Sequence, residues 1–171
     1  TGAMDYWPNI DAVDWFVAQV LPKLRQQHPS LLFYIAGARP TDAVLALASQ
    51  PGVVVTGGVP DIRPYIRHAA LAVAPLRIAR GVQNKVLEAM ALGKQVIASP
   101  QAAEGIEAEP GKHFMIAGDA DAYVTAVLAE LAQPRAEMGS AARAHMLRCY
   151  GWNASLSQFD RLLTAPAAAK S

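Results

Sequence analysis

Apolar residues recur at Ile10, Val13, Val17, Val20 and Leu24, steps of three and four that predict an amphipathic helix. Pro8 suits its first turn, and Pro22 is expected to kink it or end its regular hydrogen bonding. The pattern then changes. Leu31-Leu-Phe-Tyr-Ile-Ala36 is a short unbroken apolar run closed by Gly37, as in a strand buried on both faces. A short helix over about 41–49 follows, then a strand at Val53-Val-Val55 ending in Thr56-Gly-Gly58. Asp61 to His68 reads as a short helix led in by Pro60, with Asp61 as its cap. Leu71-Ala-Val-Ala74 reads as a strand, followed by a loop from Pro75 to Gly81. A helix is expected from Gly81, stopped at Gly93, and then a buried strand at Gln95-Val-Ile-Ala98. A loop over Gln101 to Lys112 leads to a strand at His113-Phe-Met-Ile116. Asp119 or Asp121 can cap a helix over about 122–131, and further helices are expected over about 135–149 and 155–163.

Strands alternating with helices predict an α/β fold, a Rossmann-like parallel sheet with helices on both faces. Ligands of such sheets sit at the carboxyl ends of the strands, near a topological switch point. Function is therefore expected in the loops Thr1-Gly2, Gly37-Ala38-Arg39, Gly57 to Pro60, Pro75 to Gly81, and from Ser99 onward. Gly2 falls where a strand should turn into the first helix, so the chain is expected to begin inside or just after a strand whose first half precedes Thr1. One domain over 1–164 and a frayed tail over 165–171 are expected, the tail being low in complexity.

Bulk composition narrows the class. The 171 residues are 53% apolar and 17% charged, enough for a packed core and unlike a disordered chain. The net charge of +1 gives no pull toward nucleic acid. Cys149 stands alone, excluding an internal disulfide, and its apolar neighbours suit a core position. No apolar run reaches the roughly 18 residues of a membrane span. His28, His68, His113 and His145 lack metal-ligand spacing, and no Ser-His-Asp set, Walker loop or Gly-x-Gly-x-x-Gly is present.

The segment from Gly81 to Ser99 carries the chemistry. Gly81, Lys85, Glu88 and Leu92 share one helical stripe, and Val82, Val86, Ala89 and Met90 face the sheet. Free N–H groups near Gly81 to Gln83 attract a phosphate, and Lys85 adds positive charge one turn in. Glu88 can accept hydrogen bonds from a vicinal diol such as ribose. Alone, a Lys-Glu pair at i, i+3 is a surface pair worth about 0.2–0.5 kcal/mol. The glycine entry and the flanking strands favour a ligand site. Arg77 and Arg80 lie in the loop before the helix, and either suits a pyrophosphate; Arg77 is preferred because it follows Pro75-Leu76 directly. Arg39 is a weaker candidate. The loop Gly57-Gly-Val-Pro-Asp-Ile62 suits a nucleobase, with Val59 against it, although its glycines equally fit a plain turn.

These residues resemble the C-terminal half of a retaining two-domain GT-B glycosyltransferase of the family 4 group. The resemblance runs through Thr1-Gly2, Pro8-Asn9, Ile35-Ala36-Gly37, Val55-Thr-Gly-Gly-Val-Pro-Asp-Ile62, Lys85-Val-Leu-Glu-Ala-Met-Ala-Leu-Gly-Lys-Gln-Val-Ile-Ala-Ser99, Gly105-Ile106 and Tyr150-Gly-Trp152. It looks closest to bacterial sugar transferases of exopolysaccharide systems. The resemblance implies a UDP- or GDP-linked sugar donor, a glycan or lipid-linked acceptor, an N-terminal acceptor domain outside this chain, and no metal or other cofactor. It also implies a cytoplasmic protein with peripheral association at the inner face of the membrane. Glu88 matches the second glutamate of the family's Glu-x7-Glu motif, which holds the ribose. The first glutamate falls at Arg80, where this chain departs from the motif, so the usual carboxylate contact to the donor sugar is missing. Lys85 and Arg77 would stabilise the departing diphosphate, with Gly81, Val82, Arg80, Val59 and Gly2 completing the donor set. Without the acceptor half, the isolated chain is expected to bind nucleotide and not to transfer sugar.

Two other readings stay open from sequence. A sugar-nucleotide epimerase of the same architecture would want a carboxylate and histidine set at the cleft. A flavodoxin-like binding module would want an acidic cluster at its first strand ends, where only Asp5 lies nearby.

Overall fold

The computed structural model describes residues 1–151; the helix expected over 155–163, Trp152 and the tail lie outside the described residues. All five strands run parallel, as the alternation predicts. They form two separate sheets: β1 (Phe33–Ala36) with β2 (Val53–Gly57), and β4 (Val96–Ala98) between β3 (Ala72–Ala74) and β5 (Met115–Ile116). No helix of the described residues is long and apolar enough to cross a membrane.

Local chemistry sets most boundaries. The first helix breaks into α1 (Trp7–Gln19) and α2 (Leu21–Gln27). The break falls at Val20, two residues before Pro22, whose missing N–H tolerates only a first helical turn. The Thr41 hydroxyl accepts from the Val44 N–H at 3.4 Å and starts α3 (Asp42–Ala46), which runs into the 3-10 turn Leu47–Ser49. The Asp61 carboxylate accepts from the Arg63 N–H at 2.9 Å just ahead of α4 (Arg63–His68), whose N-cap position is taken by Ile62. Asp119, rather than Asp121, caps α7 (Ala120–Ala132), accepting from the Ala122 N–H at 2.8 Å.

Three expectations need correction. Leu31 and Leu32 stand outside β1, and Tyr34 within it is half exposed, so this strand is not buried on both faces. The stretch after Ser99 is not all loop. Ser99 and Pro100 open a short helix, α6 (Pro100–Ala103), with the Ser99 hydroxyl accepting from the Ala102 N–H at 3.0 Å. The last strand shrinks to Met115–Ile116; ahead of it, His113 accepts at its ring nitrogen from the Glu109 N–H at 3.0 Å.

Alternate side chains of β4 serve opposite faces. Ile97 joins a core built by α1, α2, α7, β1 and β2, in which Phe16 stacks on Phe33 at 4.5 Å and meets Tyr123 edge-on at 6.0 Å. Val96 and Ala98 join a second core with α5 (Asn84–Ala91) and α8 (Ala136–Cys149). Helices therefore cover both faces of the central strand.

The α5–α8 contact is close enough to require glycine. A Cβ on Gly139 of α8 would run into the Gly93 carbonyl oxygen, at the turn that ends α5. Gly139→Ala should cost about 1–3 kcal/mol of stability, the usual cost of forced overpacking. The exposed neighbour Ser140→Ala should stay within about 0.5 kcal/mol. Urea unfolding checks this, and equal midpoints for Gly139→Ala and the unsubstituted chain would contradict the packing described.

Candidate functional site

The loops at the carboxyl ends of the strands converge on a cavity of about 450 Å³. Gly37 and Ala38 follow β1, Gly58 and Val59 follow β2, and Val82 to Lys85 with Glu88 come from the start of α5. Gly2, Tyr6 and Asn9 close the remaining side. Two backbone hydrogen bonds bring the chain start here: Gly2 N–H to the Ala36 carbonyl at 3.3 Å and Met4 N–H to the Ala38 carbonyl at 2.7 Å. The approach leaves no space for a side chain at Gly37, where a Cβ would collide with the Gly2 carbonyl oxygen.

Helix α5 begins at Asn84, three residues later than the apolar pattern suggests. Gly81 takes the left-handed conformation, φ 68°, and Gln83 is extended, so Gly81 to Gln83 form a loop. Gly81 therefore leaves the helical stripe. Val82 is 47% exposed at the cavity instead of packing on the sheet, whereas Val86, Ala89 and Met90 are buried as expected. The Gln83 carbonyl accepts from Val86 at 2.9 Å and Leu87 at 3.4 Å. The N–H groups of Asn84 and Lys85 then stand at the helix start without an intrahelical acceptor, on the cavity wall. They are the donors a phosphate needs, displaced toward the carboxyl side of the expected position.

Lys85 is the central cation of the cavity. Its ammonium donates to the Asn9 side-chain oxygen, and the Asn9 amide nitrogen donates to the Ala3 carbonyl at 2.8 Å. Burial pushes the Lys85 pKa down to about 8, and the negative charge of Glu88 opposes that shift. The desolvated ammonium is thus held by a neutral partner. An anion entering the cavity would restore the charge compensation that burial removes. Glu88 is exposed, one turn along the same face, with its oxygens open to a diol.

The structure brings together Gly2, Val59, Val82, Lys85 and Glu88 of the expected set. It places three others elsewhere. Arg77 pairs with Asp11, its Nε 3.0 Å from the carboxylate, and lines a different cavity with Trp15, Ser99 and Asp119. The Asp11 side chain is only 9% exposed, and its hydrogen bond with the Arg77 guanidinium holds the Arg77 pKa above the usual value. Arg80 and Gly81 precede the cavity wall, and the Gln83 amide reaches back to their carbonyls at 3.3 and 3.1 Å. Arg39, the weaker candidate, is held by Asp5 at 2.6 Å, which also keeps the Asp5 pKa low.

Asn9 escaped the residue-by-residue reading. Its sequence signals were its place in the Pro8-Asn9 part of the resemblance and a polar residue in the first turn of a helix; the structure shows it 7% exposed. Tyr6 and Asn84 gave no signal of their own.

Comparison with known proteins agrees with this architecture. Residues 1–133 match the family model of glycosyl transferases group 1, and the chain belongs to that family. A search of curated proteins gives no match. Among solved structures, Anabaena Alr3699/HepE in complex with UDP aligns at TM-score 0.73 with 15% identity, over 87% of this chain and 45% of that one. TarM aligns at TM-score 0.75 with 16% identity, over 96% of this chain and 34% of that one. Sucrose-phosphate synthase from Thermosynechococcus elongatus aligns at 0.62 with 18% identity, over 86% and 50%. At these identities the likeness establishes the fold, a Rossmann-like domain of the GT-B glycosyltransferase kind. The chain spans half or less of each of these three proteins.

Asn9→Asp should place a carboxylate against the Lys85 ammonium and raise its pKa from about 8 toward or above the ordinary lysine value. NMR titration of the lysine side-chain signals reads this directly. An unchanged Lys85 titration would contradict the Asn9 contact.

Proposed function

We propose that this chain is the donor-binding half of a sugar transferase. It would take a UDP- or GDP-linked sugar in the cavity between the Gly2–Asn9 segment and the start of α5. The observation that carries the reading is the convergence of Lys85, Glu88 and two free helix N–H groups on one cavity of about 450 Å³ at the strand ends. Lys85 and the N–H groups of Asn84 and Lys85 would hold the diphosphate. Glu88 would accept from the ribose hydroxyls. Val59 and Ile62 would flank the base, beside the backbone of Gly58 and Ala38. Family membership supports transferase chemistry, and one structural neighbour was solved with UDP bound.

In the transfer step, charge develops on the departing diphosphate oxygen. A preorganised cation and helix-start dipole lower the energy of that charge most, because they need no reorientation as it forms. Lys85 meets this requirement in the described geometry. Arg77 would have to leave Asp11 first, so its share of the phosphate role passes to Lys85. Arg80, where the family motif has glutamate, is set back from the cavity, which fits a donor sugar held by other groups.

The wider reading extends beyond these residues. It includes a glycan or lipid-linked acceptor, an acceptor domain outside this chain, cytoplasmic placement at the inner membrane face, and a role in exopolysaccharide synthesis. The acceptor domain is supported by the family match and by this chain covering 45% and 34% of two neighbours; the acceptor, the placement and the exopolysaccharide role rest on the sequence resemblance alone. On this reading the isolated chain binds nucleotide without turnover, and robust sugar transfer by it alone would refute that part.

Calorimetry with UDP, GDP and a UDP-sugar tests the core of the proposal. Micromolar to millimolar binding of a nucleoside diphosphate is expected. Glu88→Ala should weaken it roughly tenfold or more, as for loss of hydrogen bonds to a charged group. No binding at millimolar nucleotide would defeat the donor-site reading.

The pH dependence has a defined sign. Free Lys85 loses its proton near pH 8, and a bound diphosphate would hold that proton to higher pH. Binding then takes up a proton above pH 8, and affinity falls with rising pH by up to about tenfold per unit. Between about pH 7 and 8 the Lys85 contribution is nearly flat. Lys85→Met should weaken binding and abolish the slope; a slope that survives would assign it to another group.

A further inference from the structure

Two histidines outside the cavity stack against each other, His113 and His145, with ring centres 4.4 Å apart and planes 29° from parallel. His113 lies in the stretch between α6 and β5, is 3% exposed, and accepts at Nδ1 from the Glu109 N–H at 3.0 Å. His145 lies on α8, donates from Nε2 to the Glu107 carbonyl, and accepts at Nδ1 from the Arg148 guanidinium at 2.9 Å. Each Nδ1 is an acceptor, so these contacts require both rings to be neutral, with the proton on Nε2. Tyr150 completes the hold, its hydroxyl oxygen accepting from the Glu107 N–H at 3.1 Å. Glu107 is thus gripped at both of its backbone groups by His145 of α8 and by Tyr150 just beyond its end.

The gripped loop reaches the nucleotide cavity. Gly105, at φ 78°, stands against the turn ahead of α5, where a Cβ would lie 3.7 Å from the Gly81 carbonyl carbon and from Val82. Ile106 is buried in the same core as Val86 of α5 and Met146 of α8. Val82 lines the cavity, and the free helix-start N–H groups of Asn84 and Lys85 follow within three residues. The histidine stack, Glu107, Gly105 and Val82 therefore form one continuous line to the cavity wall.

We propose that Glu104 to Glu109 is a positioning loop for the nucleotide site, set in place by His145 and Tyr150 through Glu107, and that it holds only while both histidines are neutral. This role rests on the nucleotide reading of the cavity. His145 and Tyr150 lie outside the cavity lining and act through Gly81 and Val82. Protonating either ring puts an N–H where Glu109 or Arg148 already donates, and sets a positive charge against the second ring. Among the described residues, the charged and titratable groups facing the pair are Glu109 and Lys112 from the loop and Arg148 and Cys149 from α8. Burial, followed by His145, Lys112 and Arg148, pushes the His113 pKa below the ordinary histidine value, against the opposing pull of Glu109. Releasing the loop returns His113 to its ordinary pKa. The grip is therefore complete above about pH 6.5 and weakens as pH falls through that value toward the lowered one.

NMR of the chain without nucleotide tests the coupling first. As pH is lowered from about 7.5 through the His113 titration, the amide signals of Gly81, Val82 and Gln83 should follow the same curve as the His113 ring. His113→Asn combined with His145→Gln keeps an acceptor in place of Nδ1 of His113 and a donor in place of Nε2 of His145 without titrating, and should flatten that movement. His145→Ala and Tyr150→Phe each break one grip on Glu107 and should shift the same amides at about pH 7.5. Calorimetry with UDP then reads the consequence for the site. His145→Ala should weaken binding about two- to tenfold, the worth of one ordinary hydrogen bond, and His145→Gln should restore it. The phosphates of UDP titrate alike with every variant. Affinity lost on acidification by the unsubstituted chain, beyond that lost by the double variant, therefore belongs to the histidines. Amides of Gly81 to Gln83 that stay still while His113 titrates, or UDP binding that is unchanged in His145→Ala, overturn the proposal. Amides that move as expected while UDP fails to bind at any pH support the coupling and defeat the donor reading instead.

Discussion

The hydrogen bond from the Lys85 ammonium to the Asn9 side chain crosses between two parts of the molecule whose strands share no ladder. Asn9 belongs to α1, which packs with β1 and β2; Lys85 belongs to α5, which packs with β3 and β4. The contact draws the start of α5 against the Gly2–Asn9 segment and so closes the cavity. It also fixes the electrostatic state of the site. A buried ammonium facing a neutral amide is under-compensated, which the lowered Lys85 pKa records. An anionic ligand therefore gains from an interaction the protein has left open.

The other basic groups near the site are already committed. Arg77 answers Asp11, and Arg39 answers Asp5. Pairing these arginines with nearby carboxylates leaves Lys85, held by Asn9, as the cation on the cavity wall. The division suits the diphosphate site proposed above. Arg80, opposite in charge to the glutamate of the family motif, lies set back in the loop before the cavity wall.

The alternation of elements and the parallel sheet were legible because hydrophobic periodicity reports burial directly, as at Val96 to Ala98, buried throughout, and at Val86, Ala89 and Met90. Glu88 and Lys85 were legible because their spacing on one helix is a local property. What failed was set by contacts distant in sequence. The start of α5 depends on the left-handed turn at Gly81, which the apolar pattern runs straight through. The fate of Arg77 depends on Asp11, 66 residues away. Asn9 was legible only as part of the Pro8-Asn9 resemblance, and its contact with Lys85 exists because α1 and α5 meet. The division into two sheets could not be read from strand patterns, since these show which segments are strands and not which edges find partners.

The account rests on the cavity between Gly2–Asn9 and the start of α5 being the nucleotide seat. Backbone amide shift mapping of the chain during titration with UDP tests that placement most directly. The account predicts the largest shifts at Gly2, Ala38, Gly58, Val59 and from Val82 to Glu88. Shifts centred instead on the cavity of Trp15, Arg77, Ser99 and Asp119, with the Val82 to Glu88 amides unmoved, would contradict it.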